Sequence, residues 1–229
     1  MKLDSISLYK YLNSIGVSHS YHANTVPTAC SFIKAGELLS RGAVEQLGLY
    51  QTAQDSDDID KIFNVWNDIF LDCNDLHIRF GRENKYGPVL FKFKTEFLIQ
   101  ENFDVWITKD NPIRWNLEFS EKERYFSNLD EVKESYSDKS YIEMITLRSS
   151  LPLSFDYLEE IKLDFPNVRI GSVSLYKTAT KVLTKAMRES EYDYSQVKKV
   201  KRRCKSCYCH SNYRRQYSSD SLREIFCVT

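Results

Sequence analysis

The stretch His19-Ser20-Tyr21-His22-Ala23-Asn24-Thr25-Val26-Pro27-Thr28-Ala29-Cys30-Ser31-Phe32-Ile33-Lys34-Ala35-Gly36 changes character partway along. Residues 19–24 read as a short strand, which puts His22 and Asn24 on one face and Tyr21 and Ala23 on the other. Thr25 then has the chemistry of a helix N-cap, Pro27 suits the first turn, and Gly36 suits the position just past the end. A strand therefore feeds a helix of about nine residues with Ala29, Phe32 and Ile33 facing inward.

Upstream, Ile6, Tyr9, Leu12 and Ile15 recur at helical spacing and Gly16 stops them. Downstream, Leu38-Leu39 leads into a polar stretch over 40–54. The acidic run 55–60 opens a helix with apolar positions Ile59, Ile62, Phe63 and Trp66; acids at a helix start favour the dipole. Strands are expected over 69–72, 89–93, 105–108, 141–147, 158–161 and 168–173, with a polar helix around 128–136 and an amphipathic helix over 175–187. Short strands mixed with short helices, without strict strand–helix alternation, predict an α+β fold and exclude a doubly wound sheet.

Composition sets the outer bounds. The 229 residues are 42% hydrophobic and 14% aromatic, with 7 Gly and 5 Pro, enough to build a core and too ordered in composition for a disordered or collagen-like chain. The 32 basic and 32 acidic residues cancel, but eight Lys/Arg fall in 198–215, where there is no acid. Removing those eight leaves 24 basic against 32 acidic residues, so an acidic body carries a basic segment suited to nucleic acid or an acidic protein. No signal peptide is visible and no window approaches the roughly 18 apolar residues of a membrane span. With six Cys and no disulfide pattern, the chain reads as cytoplasmic with reduced thiols, with no membrane partner. The sequence contains no GxGxxG, GxxxxGK[ST], HExxH or GxSxG, which removes the common dinucleotide-fold, P-loop, zincin and α/β-hydrolase readings.

Three segments could carry chemistry. His22 and Asn24 on one strand face can hydrogen-bond a ribose hydroxyl or an amide, or His22 can be a satisfied structural histidine. Arg41, just past the helix-plus-strand unit, can hold a phosphate with its fork, or be a solvated loop residue. Glu143, between apolar neighbours on a strand, is either a partly desolvated catalytic acid or the wet position of an edge strand.

Taken in order, these segments resemble the DarT-like ADP-ribosyltransferases, over roughly residues 20–175. The resemblance is carried by Tyr21-His22, then Gly36-Glu37-Leu38-Leu39, then Arg41, and later by Glu143, Pro152 and Leu158-Glu159-Glu160-Ile161. Residues 69–72 and Tyr86-Gly87-Pro88-Val89-Leu90 stand where that fold has two central strands. Where the family has His-x-Thr, this sequence has His22-Ala23-Asn24. The resemblance implies an ADP-ribosyltransferase-like domain over 1–190, with a split, mixed and antiparallel β core and short flanking helices. A basic Cys-rich C-terminal tail over 191–229 would follow it.

It also implies NAD+ as substrate. Glu143 would stabilise the oxocarbenium-like centre and Arg41 would pair with the pyrophosphate or orient the acceptor. His22 and Asn24 would hold the ribose and the amide, and Tyr21, Phe70 or Tyr86 would stack on nicotinamide. The implied acceptor is a base of single-stranded nucleic acid, RNA slightly ahead of DNA. The biology implied is a toxin with a neutralising antitoxin protein, in bacterial or anti-phage defence. Asp75, His77 and Arg79, alternating on a strand face, either line the acceptor groove or form the outer face of an edge strand, and Lys198, Lys199, Lys201, Arg202 and Arg203 either contact the acceptor, form a solvated tail or dock an acidic antitoxin. In that segment Tyr208 and Tyr213 alternate with cations, as single-strand binders do. Cys204, Cys207, Cys209 and His210 have partial zinc-knuckle spacing, with Cys227 a further ligand, so zinc is a candidate beside ordinary reduced cysteines. A second function of a different class stays open: a non-enzymatic nucleic-acid-binding protein with a zinc-knuckle-like basic tail.

Overall fold

The computed structural model describes residues 2–100, 102–136, 143–148, 151–204 and 206–227. The strand–helix unit at the N-terminal end forms as its residues dictate. After α1 (Ser5–Ser14) comes β1 (His19–Asn24), then α2 (Val26–Ala35), on which the Thr25 side chain accepts from Thr28 N and Gly36 closes the helix at φ 71°. β2 (Glu37–Leu38) and the short α3 (Arg41–Gln46) follow; Ser40 caps α3 through Ala43 N at 3.1 Å. That helix lies inside the stretch expected to be irregular. Next are α4 (Asp57–Ile62), β3 (Ile69–Asp72), α5 (Leu76–Phe80), β4 (Val89–Lys94), α6 (Phe97–Gln100) and β5 (Val105–Ile107). The chain continues through α7 (Glu121–Arg124), α8 (Leu129–Ser135), β6 (Met144–Leu147), β7 (Leu153–Ser154) and β8 (Leu158–Asp164). It ends with β9 (Arg169–Ile170), β10 (Val173–Ser174), α9 (Leu175–Glu189), β11 (Lys198–Arg202), α10 (Cys209–Arg215) and α11 (Ser219–Phe226).

The α+β reading is correct. Seven strands form one mixed sheet in the order β11-β8-β4-β1-β3-β6-β5, antiparallel throughout except for the parallel pair β11–β8. The two strands placed at the centre by the resemblance, β3 and β4, flank β1. Their pairing with β1 is unequal. β4 matches β1 over six register pairs from His19↔Lys94 to Asn24↔Val89, whereas β3 meets it at one pair, Tyr21↔Asp72. Beyond that pair the strands diverge and the sheet is split. Phe32, Phe91, Phe93 and Phe155 pack below the intact half with centroids 5.7–6.5 Å apart, the spacing of favourable ring pairs. A smaller cluster of Phe63, Val65, Trp115 and Tyr125 lies beyond the split.

Two readings need correction. Residues 76–80 are a helix, with Asp75 as N-cap and Gly81 as left-handed C-cap, so Asp75, His77 and Arg79 do not alternate along a strand. The strand expected over 141–147 is described from Met144 onward; 141 and 142 lie outside the described residues. The basic segment is built into the body. β11 pairs with β8, and Tyr213, Leu222 and Phe226 are buried in the main core, so it is not a free tail. No helix among the described residues is long and apolar enough to cross a membrane.

Candidate active site

The split between β1 and β3 opens into a pocket of about 830 Å³, counted to its open mouth. His22, Asn24, Arg41, Phe70 and Tyr86 all line it. They come from β1, α3, β3 and the loop before β4, so the fold gathers residues spread over more than sixty positions. Gly87 makes one of these approaches possible. It sits at φ 143°, and a Cβ there would lie 2.3 Å from the Asn24 carbonyl, so only glycine lets the Tyr86 loop press against the end of β1.

His22 closes the split on its inner side. Its Nδ1 donates to the Phe70 carbonyl at 3.0 Å, across the gap where a sheet ladder would otherwise run. That bond assigns the proton to Nδ1 and leaves Nε2 an acceptor, 3.5 Å from Asn24 Nδ2. Burial lowers the His22 pKa, against a smaller opposing effect of the Phe70 bond. The ring is therefore a neutral acceptor. Asn24 Oδ1 accepts from Thr25 N at 2.9 Å, which orients the amide.

Arg41 starts α3. Its Nη2 donates to Asp57 Oδ2 at 2.6 Å and to the Thr52 carbonyl at 3.1 Å, and its guanidinium carbon lies 5.2 Å from the centroid of the Trp66 ring. These contacts fix the fork. Its Nε and Nη1 are buried with no hydrogen-bond partner among the described residues. Two fixed, unused donors on a permanent cation form an anion-binding arrangement.

Three carboxylates stand on the pocket wall, Asp60, Asp68 and Asp72; Asp68 is paired with Arg148 at 2.7 Å, and the one at the split itself is Asp72, which the sequence reading passed over. It lies 6% exposed at the last paired position of the split, and burial, helped by the charge of Asp75, pushes its pKa up to about 7. Tyr86 is held protonated, its pKa pushed up to about 12 by burial and then by Asp72, Asp60 and Asp55. Asp60, another wall residue, is raised to about 6 by burial. The only sequence signal for Asp72 was an acid closing an apolar strand, Ile69-Phe70-Leu71-Asp72, which also fits a solvent-facing strand end.

Glu143 does not line this pocket; its neighbour Met144, paired with Asp72, does. Glu143 is 7% exposed, and its charge helps raise the pKa of Cys73 and Tyr136. Tyr21 also lies outside the pocket, where Asp75, Glu160 and Glu159 add to burial in raising its pKa to about 12.

The residues expected to touch an acceptor lie at the far end of the sheet. Asp75 is buried and accepts from Arg202 at 2.8 Å and Lys162 at 3.2 Å. His77 is buried against Asp164 and the cysteines. Lys201 lies over the Phe165 ring at 3.7 Å, and Arg203 lies 5.6 Å from it. Lys199 donates to the Tyr194 carbonyl, and Lys198 and Arg79 are exposed. A second cleft adjoins the pocket, sharing Gln54, Ser56, Tyr86, Asn111 and Ile113, and Arg82, Lys85, Arg114 and the half-exposed Phe80 stand on its walls.

Neither a family model nor a curated protein matches the chain. Among solved structures, it is similar to Thermus sp. 2.9 DarT in complex with ADP-ribosylated ssDNA, at 10% identity and a TM-score of 0.48, over 81% of this chain and 94% of that one. The same protein in complex with NAD+ matches at 10% identity and 0.47, over 82% and 96%. Thermosipho africanus DarTG in complex with ADP-ribose matches at 15% identity and 0.43, over 80% of this chain and 50% of that one.

Proposed function

We propose that this pocket binds NAD+ and that the chain transfers ADP-ribose from it to a base of single-stranded nucleic acid. The observation that carries the reading is Arg41: two buried, unpartnered donors on a fixed guanidinium, set beside a neutral histidine acceptor and a buried carboxylate in a split sheet. That set suits a dinucleotide. Arg41 takes the pyrophosphate, His22 Nε2 accepts from a ribose hydroxyl, Asn24 serves the carboxamide, and Phe70 or Tyr86 stacks on the nicotinamide ring.

The bond from the ribose anomeric carbon to the nicotinamide nitrogen breaks, and its electron pair leaves with neutral nicotinamide. Positive charge develops on the sugar, and ionised Asp72 stabilises it. A base nitrogen then bonds to the anomeric carbon and gives up one proton, to a carboxylate or to water. Glu143 carries the catalytic role by resemblance and Asp72 by position, and the two are separated by substitution.

The acceptor enters by the neighbouring cleft. Arg82, Lys85 and Arg114 suit phosphates and Phe80 suits a stacked base. Single strands avoid the few kcal/mol needed to unpair a base. A protein that neutralises the toxic activity is the matching partner.

The test incubates the purified chain with adenylate-labelled NAD+ and separate pools of single-stranded DNA, single-stranded RNA and protein. Label on a nucleic-acid pool with release of nicotinamide supports the proposal, and the labelled pool names the acceptor. Nucleic-acid binding without nicotinamide release supports the non-enzymatic reading instead.

A further inference from the structure

We infer that the chain holds a structural zinc ion through Nε2 of His77 and the Sγ atoms of Cys204, Cys207 and Cys209. These four atoms come from α5, from the loop after β11 and from the first residue of α10, and all lie within 4.8 Å of one another. His77 Nε2 is 3.1 Å from Cys204 Sγ and 3.4 Å from Cys207 Sγ, and Cys207 Sγ is 2.8 Å from Cys209 Sγ. A tetrahedral zinc with ordinary bond lengths separates its ligands by about 3.5–3.8 Å, so small side-chain adjustments seat the ion. Three sulfurs and one imidazole are a closed, soft donor set, the kind that selects zinc over hard cations.

The groups behind the histidine are those a metal ligand needs. Nδ1 of His77 donates to Asp164 Oδ2 at 3.1 Å, which fixes the tautomer and aims the Nε2 lone pair at the sulfurs. Asp164 is itself held by Tyr213, whose hydroxyl donates at 2.9 Å. The site also corrects the ligand set expected from spacing. His210 Nε2 donates to the Phe165 carbonyl at 2.7 Å and faces away, while His77, 127 positions before Cys204, takes its place. Cys227 forms the left-handed cap of α11, and its charge adds to the raised pKa of Cys30; it does not join the cluster.

The ion would tie the β11–α10 loop to α5. Two direct bonds already join the turn after α5 to this region: Tyr208 N donates to the Gly81 carbonyl at 2.6 Å, and Asn212 Nδ2 of α10 donates to Glu83 Oε2 at 2.8 Å. Residues 80–86 carry Phe80, Arg82, Lys85 and Tyr86, so the zinc would brace one wall of the acceptor cleft. The assignment of ligands does not depend on the transferase reading.

The experiment measures metal content in the full chain purified from zinc-supplemented medium without chelator, with zinc-edge absorption to count its ligands. The expected result is about one zinc per chain with three sulfurs and one nitrogen. His77→Ala and Cys209→Ser should each lose most of the zinc, while His210→Ala and Cys227→Ser keep it. Asp164→Asn should weaken zinc about 10–100-fold in a chelator competition. Should a substitution fail to fold, the ligand count on the parent chain still decides. A folded parent with no stoichiometric zinc, a disulfide within the cluster, iron in place of zinc, or equal zinc loss in His210→Ala and His77→Ala would each overturn the site. None of these readings involves NAD+, so they stand or fall apart from the transfer assay.

Discussion

The middle of the sheet and its β11 edge handle their polar groups in opposite ways. At the split between β1 and β3, Arg41 keeps two buried donors unused and Asp72 is buried with its charge penalised. At the β11 edge, basic and acidic groups are paired: Arg202 bridges Asp75 and Asp164, Lys162 reaches Asp75, and His77 and Tyr213 complete the set around Asp164. Unsatisfied groups mark a place prepared for something else. Satisfied ones mark a place that holds the chain together. The basic segment, the most conspicuous charge feature of the sequence, belongs largely to the second kind.

The sharpest way to break this contrast is at Asp72. Asp72→Asn keeps the size and removes the charge, and transfer should fall on the order of 10²–10³-fold, while Glu143→Gln stays within tenfold of the parent. The reverse ranking returns the catalytic role to Glu143. The parent should also show two opposite pH trends. Its carboxyl is raised from the ordinary 3.8 to about 7, so the folded state binds more protons than the unfolded state between those values. This group's contribution to stability therefore falls as pH rises from about 4 to 7, while transfer rises through the same range as the carboxylate ionises. Asn at 72 should flatten both trends, read from melting curves and rate profiles.

At the β11 edge the expected effect is on the fold. Arg202→Ala leaves Asp75 and Asp164 buried without their shared cation. Breaking a buried ion pair from one side costs about 3 kcal/mol or more, read by denaturant unfolding. A loss below about 0.5 kcal/mol would show that the edge network is not structural.

Much of the pocket end was legible because it is local. A cap, a proline and a glycine placed α2, and alternation put His22 and Asn24 together. Asp72 was not legible because its burial depends on where β3 leaves β1, which no pattern within Ile69–Asp72 reports. The β11 edge was not legible for a similar reason. Lys198-Lys199-Val200-Lys201-Arg202 has almost no apolar face, and it becomes a strand through parallel pairing with β8 and through acids contributed from residues 75 and 164. His77 looked like one of an alternating polar trio because α5 is only five residues long and begins at an aspartate cap.

A smaller change tests how tightly the pocket end is assembled. Gly87→Ala places a Cβ 2.3 Å from the Asn24 carbonyl at a φ that suits glycine, and should cost about 1–3 kcal/mol. NAD+ affinity should fall with it, because Tyr86 and Asn24 move apart. Full stability with unchanged NAD+ binding would mean that the loop is not held against β1.

The smallest expected effect on stability is also the finest division between the two regions. Lys198 is exposed, and so are Arg82 and Lys85. Reversing any of these charges should shift stability by no more than about 0.5 kcal/mol. Their effects on acceptor binding should differ. Each phosphate contact to a single strand contributes about 0.7 to the slope of log affinity against log salt. Arg82→Glu with Lys85→Glu should therefore lower that slope by about 1.4 if the strand lies in the cleft beside the pocket. Lys198→Glu should leave the slope nearly unchanged, because β11 is three strands from β1 and its other cations are engaged within the protein. A larger slope change from Lys198 than from the cleft pair would move the acceptor to the β11 edge and make the basic segment a binding surface after all.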